Sequence, residues 1–174
     1  MTGKFKTTDE YVWGVEDILV GYKSEHPYTF KLLKPKKGRS GCLSLQYHNQ
    51  KSETWVVVAG IAWGLTIVND IVQSYVLRPG DHLTIKAGTV HRLLAVTDDT
   101  VVAEASTPDT YAANKKAIKD VVRLHCVHGR ECQVPGDIFQ CKLVLEAIQL
   151  TESAISVVES GSVPEEIKLV DNPQ

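Results

Sequence analysis

The chain reads as short apolar runs broken by turns. Between Cys42 and Ser106 the runs Trp55–Ala59, Trp63–Val68, Ile71–Leu77, His82–Ile85, His91–Val96 and Thr100–Ala105 follow one another, rich in β-branched residues. Gly60, Asn69-Asp70, Pro79-Gly80, Gly88 and Asp98-Asp99 separate them. Such runs, with turn signals about every eight to twelve residues, predict the strands of a sandwich or barrel. Upstream, strands over Tyr28–Leu33 and Cys42–Tyr47 flank the turn-forming loop Lys34–Ser40, KPKKGRS, whose cations read as a solvated surface. This number of strands suits a jelly roll, in which closure removes exposed edges.

After Pro108 the pattern changes. Tyr111–Lys119 is rich in alanine and lysine, which predicts a short helix or a helical turn. Val134–Gly136 reads as a turn. Phe139, Leu143, Val144, Ala147 and Ile148 recur at helical steps, which predicts an amphipathic helix over Phe139–Leu150. Ala154–Val158 and Ile167–Val170 suit a last helical turn and a strand. The expected division is an N-terminal arm over residues 1–11, an all-β barrel with its closing segment over 12–133, and a short helical and strand extension over 134–174. That extension would cap the barrel or complete a dimer surface.

Composition narrows the partners. A length of 174 residues fits one domain with a real core. A net charge of −2 with no basic stripe argues against nucleic acid. No apolar run is long enough for a membrane span. The opening MTGKFKTTDEYVWG lacks the apolar core of a secretory leader. The four cysteines are then expected as reduced thiols in a cytoplasmic protein. His125, Cys126, His128 and Cys132 form HCVHGREC, but the spacing fits no common zinc finger and no second cysteine pair completes it.

The candidate chemistry lies in Leu43–Gly60 and Gly80–Leu93. Gln46 and His48 alternate with Tyr47, so on a strand they share a face. A polar loop follows, and a hairpin there would return Glu53 beside His48. His91 heads a later apolar run. Imidazole, carboxylate and amide oxygen on inward strand positions suit a divalent metal of borderline or hard character. With N/O donors, zinc or manganese comes first, and iron, cobalt or nickel is allowed.

These residues resemble a known family. Gly41, four residues, Gln46-x-His48, four residues, Glu53, six residues and Gly60 form a close variant of the first cupin motif. Gly80, five residues, Lys86-Ala87-Gly88, two residues and His91 resemble the second. Within the cupins, LSLQ-x-H, then E-x-W-x-V-V-x-G, then G-T-V-H-R-L is most similar to the type II mannose-6-phosphate isomerase domain, over roughly Val12 to Arg130.

The resemblance implies a cupin jelly-roll β-barrel, one divalent metal on Gln46, His48, Glu53 and His91, and a metal-dependent aldose–ketose isomerase of a phosphorylated sugar. Its candidate bases are Glu104, on the family's last barrel strand, and Lys86. Arg123 and Arg130 match the family's D-[IV]-V-R and G-R, where guanidinium forks suit a phosphate. Lys51 stands in place of an arginine and would meet an anion. Arg92 would point to the outer face of its strand.

Several positions depart from the family: Asn49-Gln50 and Thr54 replace histidines, Lys86 a proline, and Ala95 an asparagine. His125-Cys126 and His128 replace acidic and tyrosyl positions. The metal quartet is intact and the substrate shell is not. The alternative function is therefore a non-catalytic cupin that binds a sugar or nucleotide-sugar. A metal oxygenase is a third reading, disfavoured by Gln46 where such enzymes usually place a histidine. Cupins commonly pair through their sheets, so a homodimer is expected from the resemblance.

Overall fold

In the computed structural model of the protein, residues 7–23, 25–133 and 138–170 are described. The strands in chain order are β1 (Thr7–Tyr11), β2 (Gly14–Val20), β3 (Thr29–Pro35), β4 (Leu45–Tyr47), β5 (Glu53–Ala59) and β6 (Ala62–Val68). They continue with β7 (Ile71–Leu77), β8 (His82–Ile85), β9 (Val90–Ala95), β10 (Val101–Ser106), β11 (Val122–His125) and β12 (Lys168–Val170). A single helical turn, α1 (Thr110–Ala113), and a long helix, α2 (Ile138–Glu159), complete the set. Two six-stranded sheets form, ordered β1-β2-β3-β10-β5-β8 (sheet A) and β11-β4-β9-β6-β7-β12 (sheet B). Their strand pairs are antiparallel. This is the jelly roll that the strand pattern predicts.

Alternation builds the barrel. Along β5, Glu53, Trp55 and Val57 are buried while Val56 and Val58 face out. The inner cluster joins Trp13, Leu33, Trp55, Val57, Ile85, Leu93 and Val102 from both sheets. Between β6 and β7, Asn69 and Asp70 both take positive φ, 50° and 60°, the requirement of a two-residue type I′ hairpin turn.

β6 and β9 break the alternation because they are buried on both faces. Inward, His91 and Leu93 meet the barrel interior. Outward, Leu45, Trp63, Leu65 and Leu94 meet Leu143, Val144, Ala147, Ile155 and Val158 of α2. The extension therefore packs on the outer face of sheet B within the same chain. Each buried aliphatic side chain in this layer contributes about 1.5–3 kcal/mol.

Six strands between residues 53 and 106 match the expected runs closely. Other elements differ. Phe139–Leu150 and Ala154–Val158 are parts of one 22-residue helix, longer than the short extension expected. Thr151 does not break it: its hydroxyl donates to Ala147 O at 2.7 Å and the residue is buried. Of the two forms expected for Tyr111–Lys119, the structure has the helical turn, α1, which covers only its first residues. After Asp109 caps its start, the chain leaves the helix at Asn114, which is extended at ψ 102°. The arm drawn over residues 1–11 contains strand β1, paired to β2 from Thr7 onward. The expected turn Val134–Gly136 lies outside the described residues. Among those described, no helix is long and apolar enough to cross a membrane.

Candidate metal centre

β4 and β9 pair with Gln46 opposite His91, and β5 begins at Glu53. The short segment between β4 and β5 thus carries His48 to the same place. Ligand atoms of His48, Glu53 and His91 lie within 4.8 Å of one another, and all three residues are buried. His91 Nε2 is 3.2 Å from Glu53 Oε1, and His48 Nε2 is 3.8 Å from Glu53 Oε2.

Both imidazoles are held through their other nitrogen. His91 Nδ1 donates to Thr89 O at 2.8 Å, and His48 Nδ1 donates to Asp120 O. That fixes the tautomer and leaves each Nε2 a bare acceptor. Neither Nε2 makes a hydrogen bond in the interior. Two lone pairs facing one carboxylate repel unless a cation lies between them. Donor atoms held about 2.0–2.2 Å from one ion stand about 3–4 Å apart, and the 3.2 and 3.8 Å separations agree. The residues fit a divalent metal. Gln46 lines the adjoining cavity, and its Oε1 accepts from Ser44 Oγ at 2.6 Å, leaving a second lone pair.

A string of buried charges runs from this cluster into sheet A. Lys51 Nζ lies 2.5 Å from Glu53 Oε2 and 2.9 Å from Glu104 Oε1. Lys31 Nζ lies 2.8 Å from Asp109 Oδ2 and 3.3 Å from Glu16 Oε1. Burial alone would raise the Glu53 carboxyl, but the Lys51 ammonium outweighs it and holds the carboxyl well below the usual range. Burial likewise opposes the Lys51 ammonium, while Glu104 and Glu53 keep it charged. Four carboxyl groups (Glu16, Glu53, Glu104, Asp109) converge on the two amines of Lys31 and Lys51.

The cavity of about 350 Å³ beside this cluster has two further walls. One is aromatic: Tyr11 and Trp13 stack at 5.1 Å, and Lys119 Nζ sits 5.0 Å from the Tyr11 ring and 4.2 Å from that of Tyr111. The other carries Arg123 and Arg130. Arg130 donates from Nε to Cys126 Sγ at 3.1 Å, and Arg123 Nε is buried without a partner. Among the described residues, no ion pair engages Lys119, Arg123 or Arg130. Burial and the neighbouring Arg130 make the Arg123 cation easier to discharge than usual, as an unneutralised basic wall requires.

The structure brings Gln46, Glu104, Lys51, Arg123 and Arg130 to this cavity beside the His48–Glu53–His91 cluster. It leaves Lys86 out: that side chain is exposed on the turn after β8, where Lys86 O accepts from Thr89 N. Lys51 is already matched by two carboxylates, which leaves it little reach for an external anion. Arg92 does point away from the cavity, but its surroundings are interior: it is fully buried and donates from Nη2 to His125 Nδ1 and His125 O, both at 2.9 Å. The HCVHGREC residues form no metal group among the described residues: His128 Nε2 donates to Cys42 O, and the cysteines are free. In the basic loop, Lys34 pairs with Asp17 and Arg39 with Glu152 on the outer surface.

Asp120 opens the D-[IV]-V-R stretch, but sequence reasoning assigned it no role. Its carboxylate accepts from the backbone of Asn49 (2.9 Å), Gln50 (2.9 Å) and Lys51 (2.8 Å), while its carbonyl holds His48. Sequence reasoning also missed Glu16, Lys31 and Lys119. Lys31 stands alone among apolar residues of β3, whereas Glu16 adjoins Asp17 and Lys119 adjoins Asp120, which reads as ordinary surface charge.

Comparison with solved structures places the fold. CapF from Staphylococcus aureus, a capsular polysaccharide assembling protein, superposes with TM-score 0.55 at 18% identity, over 68% of this chain and 34% of that one. Lactobacillus farciminis oxalate decarboxylase, as its formate complex, gives 0.52 at 14% identity, over 68% and 33%. KdgF from Halomonas sp. gives 0.50 at 18% identity, over 62% of this chain and 94% of that one. This chain thus spans about a third of CapF and of the decarboxylase. No curated protein matches the sequence significantly. The profile of the family described as mannose-6-phosphate isomerase C-terminal matches residues 7–100, more than half of the chain. With its jelly roll and its two glycine-framed motifs, the chain belongs to that family and is a cupin.

Proposed function

We propose that this chain is a metal-dependent aldose–ketose isomerase of a phosphorylated sugar. The observation that carries the reading is the meeting in one cavity of a His–Glu–His cluster with bare Nε2 atoms, the carboxylate Glu104 and the unpaired cations Lys119, Arg123 and Arg130. A divalent ion held by His48, Glu53, His91 and the Gln46 amide oxygen would supply Lewis-acid polarisation of the sugar carbonyl.

The chain's own residues do the rest. Lys119, Arg123 and Arg130 hold the phosphate, and the guanidinium forks fix its orientation. Tyr11 and Trp13 offer an aromatic face to the sugar ring or chain. Glu104 takes the proton from C2 and returns it to C1, an acid–base role worth about 10²–10⁴ in rate. Lys51, 2.9 Å from Glu104 Oε1, holds that carboxylate in place.

The first test is metal content by plasma mass spectrometry on untagged protein purified without chelator, beside Glu53→Ala and His91→Ala. About one zinc or manganese per chain, lost in both variants, is the expected result and leads to a screen of sugar phosphates for aldose–ketose exchange. A chain that stays empty when metal is offered sinks the reading. One observation favours binding without turnover: the Lys51 ammonium already occupies Glu104. A saturable sugar ligand that yields no product would identify that alternative.

A further inference from the structure

We infer that Cys126 is an oxidation site of this protein: a hydroperoxide converts its thiol to a disulfide with Cys132, and that bond releases Arg130 from the wall of the cavity. The effect on a ligand rests on the isomerase reading, through the anion that Arg130 would meet; the thiol chemistry does not.

The motif HCVHGREC, which forms no metal group among the described residues, supplies the site. After β11 the chain turns over Val127-His128-Gly129, with Gly129 at φ 70° and its N–H donating to Cys126 O at 3.2 Å. Gln133 N then donates to Arg123 O, so the segment folds back beside β11. The turn aims donors at one sulfur. Arg130 Nε donates to Cys126 Sγ at 3.1 Å, and the backbone N–H groups of His128 and Arg130 donate to the same atom. Cys132 Sγ donates to Arg130 O at 3.1 Å. Both thiols are thus bonded to one residue, on a segment whose Gly129 and Glu131 are exposed.

A second cation marks the same place. Arg92 on β9 is fully buried, and its Nε and Nη1 have no partner. Among the described residues no ion pair engages it. The groups whose negative charge would offset it are Cys42, Cys126, Cys132 and Glu152, and Glu152 of α2 already holds Arg39. A buried guanidinium without a counter-charge is costly, so this interior favours a thiolate. Cys126 is the one that its neighbours equip for that role. Burial pushes the Cys42 thiol up to about 11 and raises that of Cys132. Burial would raise Cys126 as well, but Arg130 and the two backbone donors outweigh it. Burial also keeps the nearby His125 and His128 neutral.

The chemistry balances in two steps. The Cys126 thiolate attacks the terminal oxygen of the hydroperoxide, the O–O bond breaks, and the departing alkoxide or hydroxide takes a proton from solvent. Sulfur is oxidised to the sulfenic acid as the peroxide is reduced. The Cys132 sulfur then attacks the sulfenic sulfur. The S–S bond forms, the S–O bond breaks, and the hydroxide leaves as water with the Cys132 proton. In the disulfide, Cys126 no longer offers Arg130 an anionic acceptor, and the segment that carries Arg130 is drawn tight. That guanidinium lines the cavity with Nη2 3.5 Å from Ser44 Oγ, which in turn donates to Gln46 Oε1.

Mass spectrometry of the full chain tests the site without a sugar. A small excess of hydrogen peroxide at neutral pH should remove two hydrogens from the reduced protein, and peptide mapping should join Cys126 to Cys132. In Cys132→Ser, dimedone should trap a sulfenic acid at Cys126. Adding Arg130→Met should slow the trapping and move its pH profile upward, which a merely structural arginine would not do. A wild type that forms no such disulfide, or dimedone carried by another cysteine in preference to Cys126, overturns the inference.

Calorimetry with mannose 6-phosphate reads the consequence. The oxidised wild type should bind about 10-fold more weakly than the reduced form, and dithiothreitol should restore it. Cys126→Ser should bind alike before and after peroxide. Equal affinity of the two wild-type forms overturns the release of Arg130. A protein that joins Cys126 to Cys132 but binds no sugar phosphate when reduced refutes the isomerase reading and leaves the oxidation site standing.

Discussion

Replacing Asp120 with alanine removes the acceptor of three backbone N–H groups, those of Asn49, Gln50 and Lys51, at 2.8–2.9 Å. It also loosens the carbonyl that holds His48 Nδ1. The three bonds lie toward solvent, so water replaces part of each. At about 0.5–1 kcal/mol per bond, rather than the larger value of a buried charged one, the loss is about 2 kcal/mol. For a domain of this size that lowers Tm by about 4–8 °C. The freed His48 ring should weaken divalent-metal binding about 10–100-fold, as loss of a ligand's supporting partner does. Asp120→Asn keeps one acceptor oxygen and should fall between.

Acid tests the same contact. Burial alone would raise the Asp120 carboxyl, but the Gln50, Lys51 and Asn49 amides hold it below its ordinary value. A depressed carboxyl stabilises the fold above its unfolded pKa and loses that contribution as pH falls through the folded value. The gap between wild type and Asp120→Ala should therefore be full at neutral pH and close below about pH 4. Urea unfolding across pH and calorimetric titration with zinc or manganese measure both effects. A gap under about 0.5 kcal/mol at neutral pH, or unchanged metal affinity, would refute the reasoning.

Lys51→Met leaves Glu53 and Glu104 unpaired in the interior and should cost about 3–5 kcal/mol. Added zinc or manganese should recover part of it, raising the Tm of the variant more than that of wild type; equal shifts in both would count against the shared-cation arrangement. Lys119→Ala and Arg123→Ala should each weaken binding of mannose 6-phosphate about 10-fold or more while leaving unphosphorylated mannose unaffected. Equal losses for both sugars would remove these residues from the anion wall. Ile155→Ala, in the layer between α2 and sheet B, should cost about 2–5 kcal/mol in urea unfolding with metal stoichiometry unchanged. A variant that loses metal instead would show that the two cores are coupled.

The metal cluster was legible because its spacing is local. Gln46 and His48 share a strand face, the loop to Glu53 is short, and His91 sits opposite Gln46 one strand away. The role of Asp120 was not legible: it opens the D-[IV]-V-R stretch, but 72 positions separate it from His48 and the motif does not say what its carboxylate and carbonyl hold. Lys51 lies in a polar stretch that reads as solvent-facing. It is buried because Glu53 and Glu104, from two different strands, converge on it. Lys86 shows the reverse error, for a place inside a motif did not carry its side chain inward. The polar residues Thr151-Glu152-Ser153 lie between the two helical segments expected, Phe139–Leu150 and Ala154–Val158, and the helix runs through them. Thr151 bonds back to the helix and Glu152 pairs outward with Arg39.

The placement of α2 has a consequence for how such barrels assemble. A jelly roll offers two broad flanks, and in this chain one is lined by its own helix, as the outward residues of β6 and β9 require. A second copy meeting this chain flank to flank would face α2 on one side and, on the other, the strands of sheet A, where Val56 and Val58 lie at the surface.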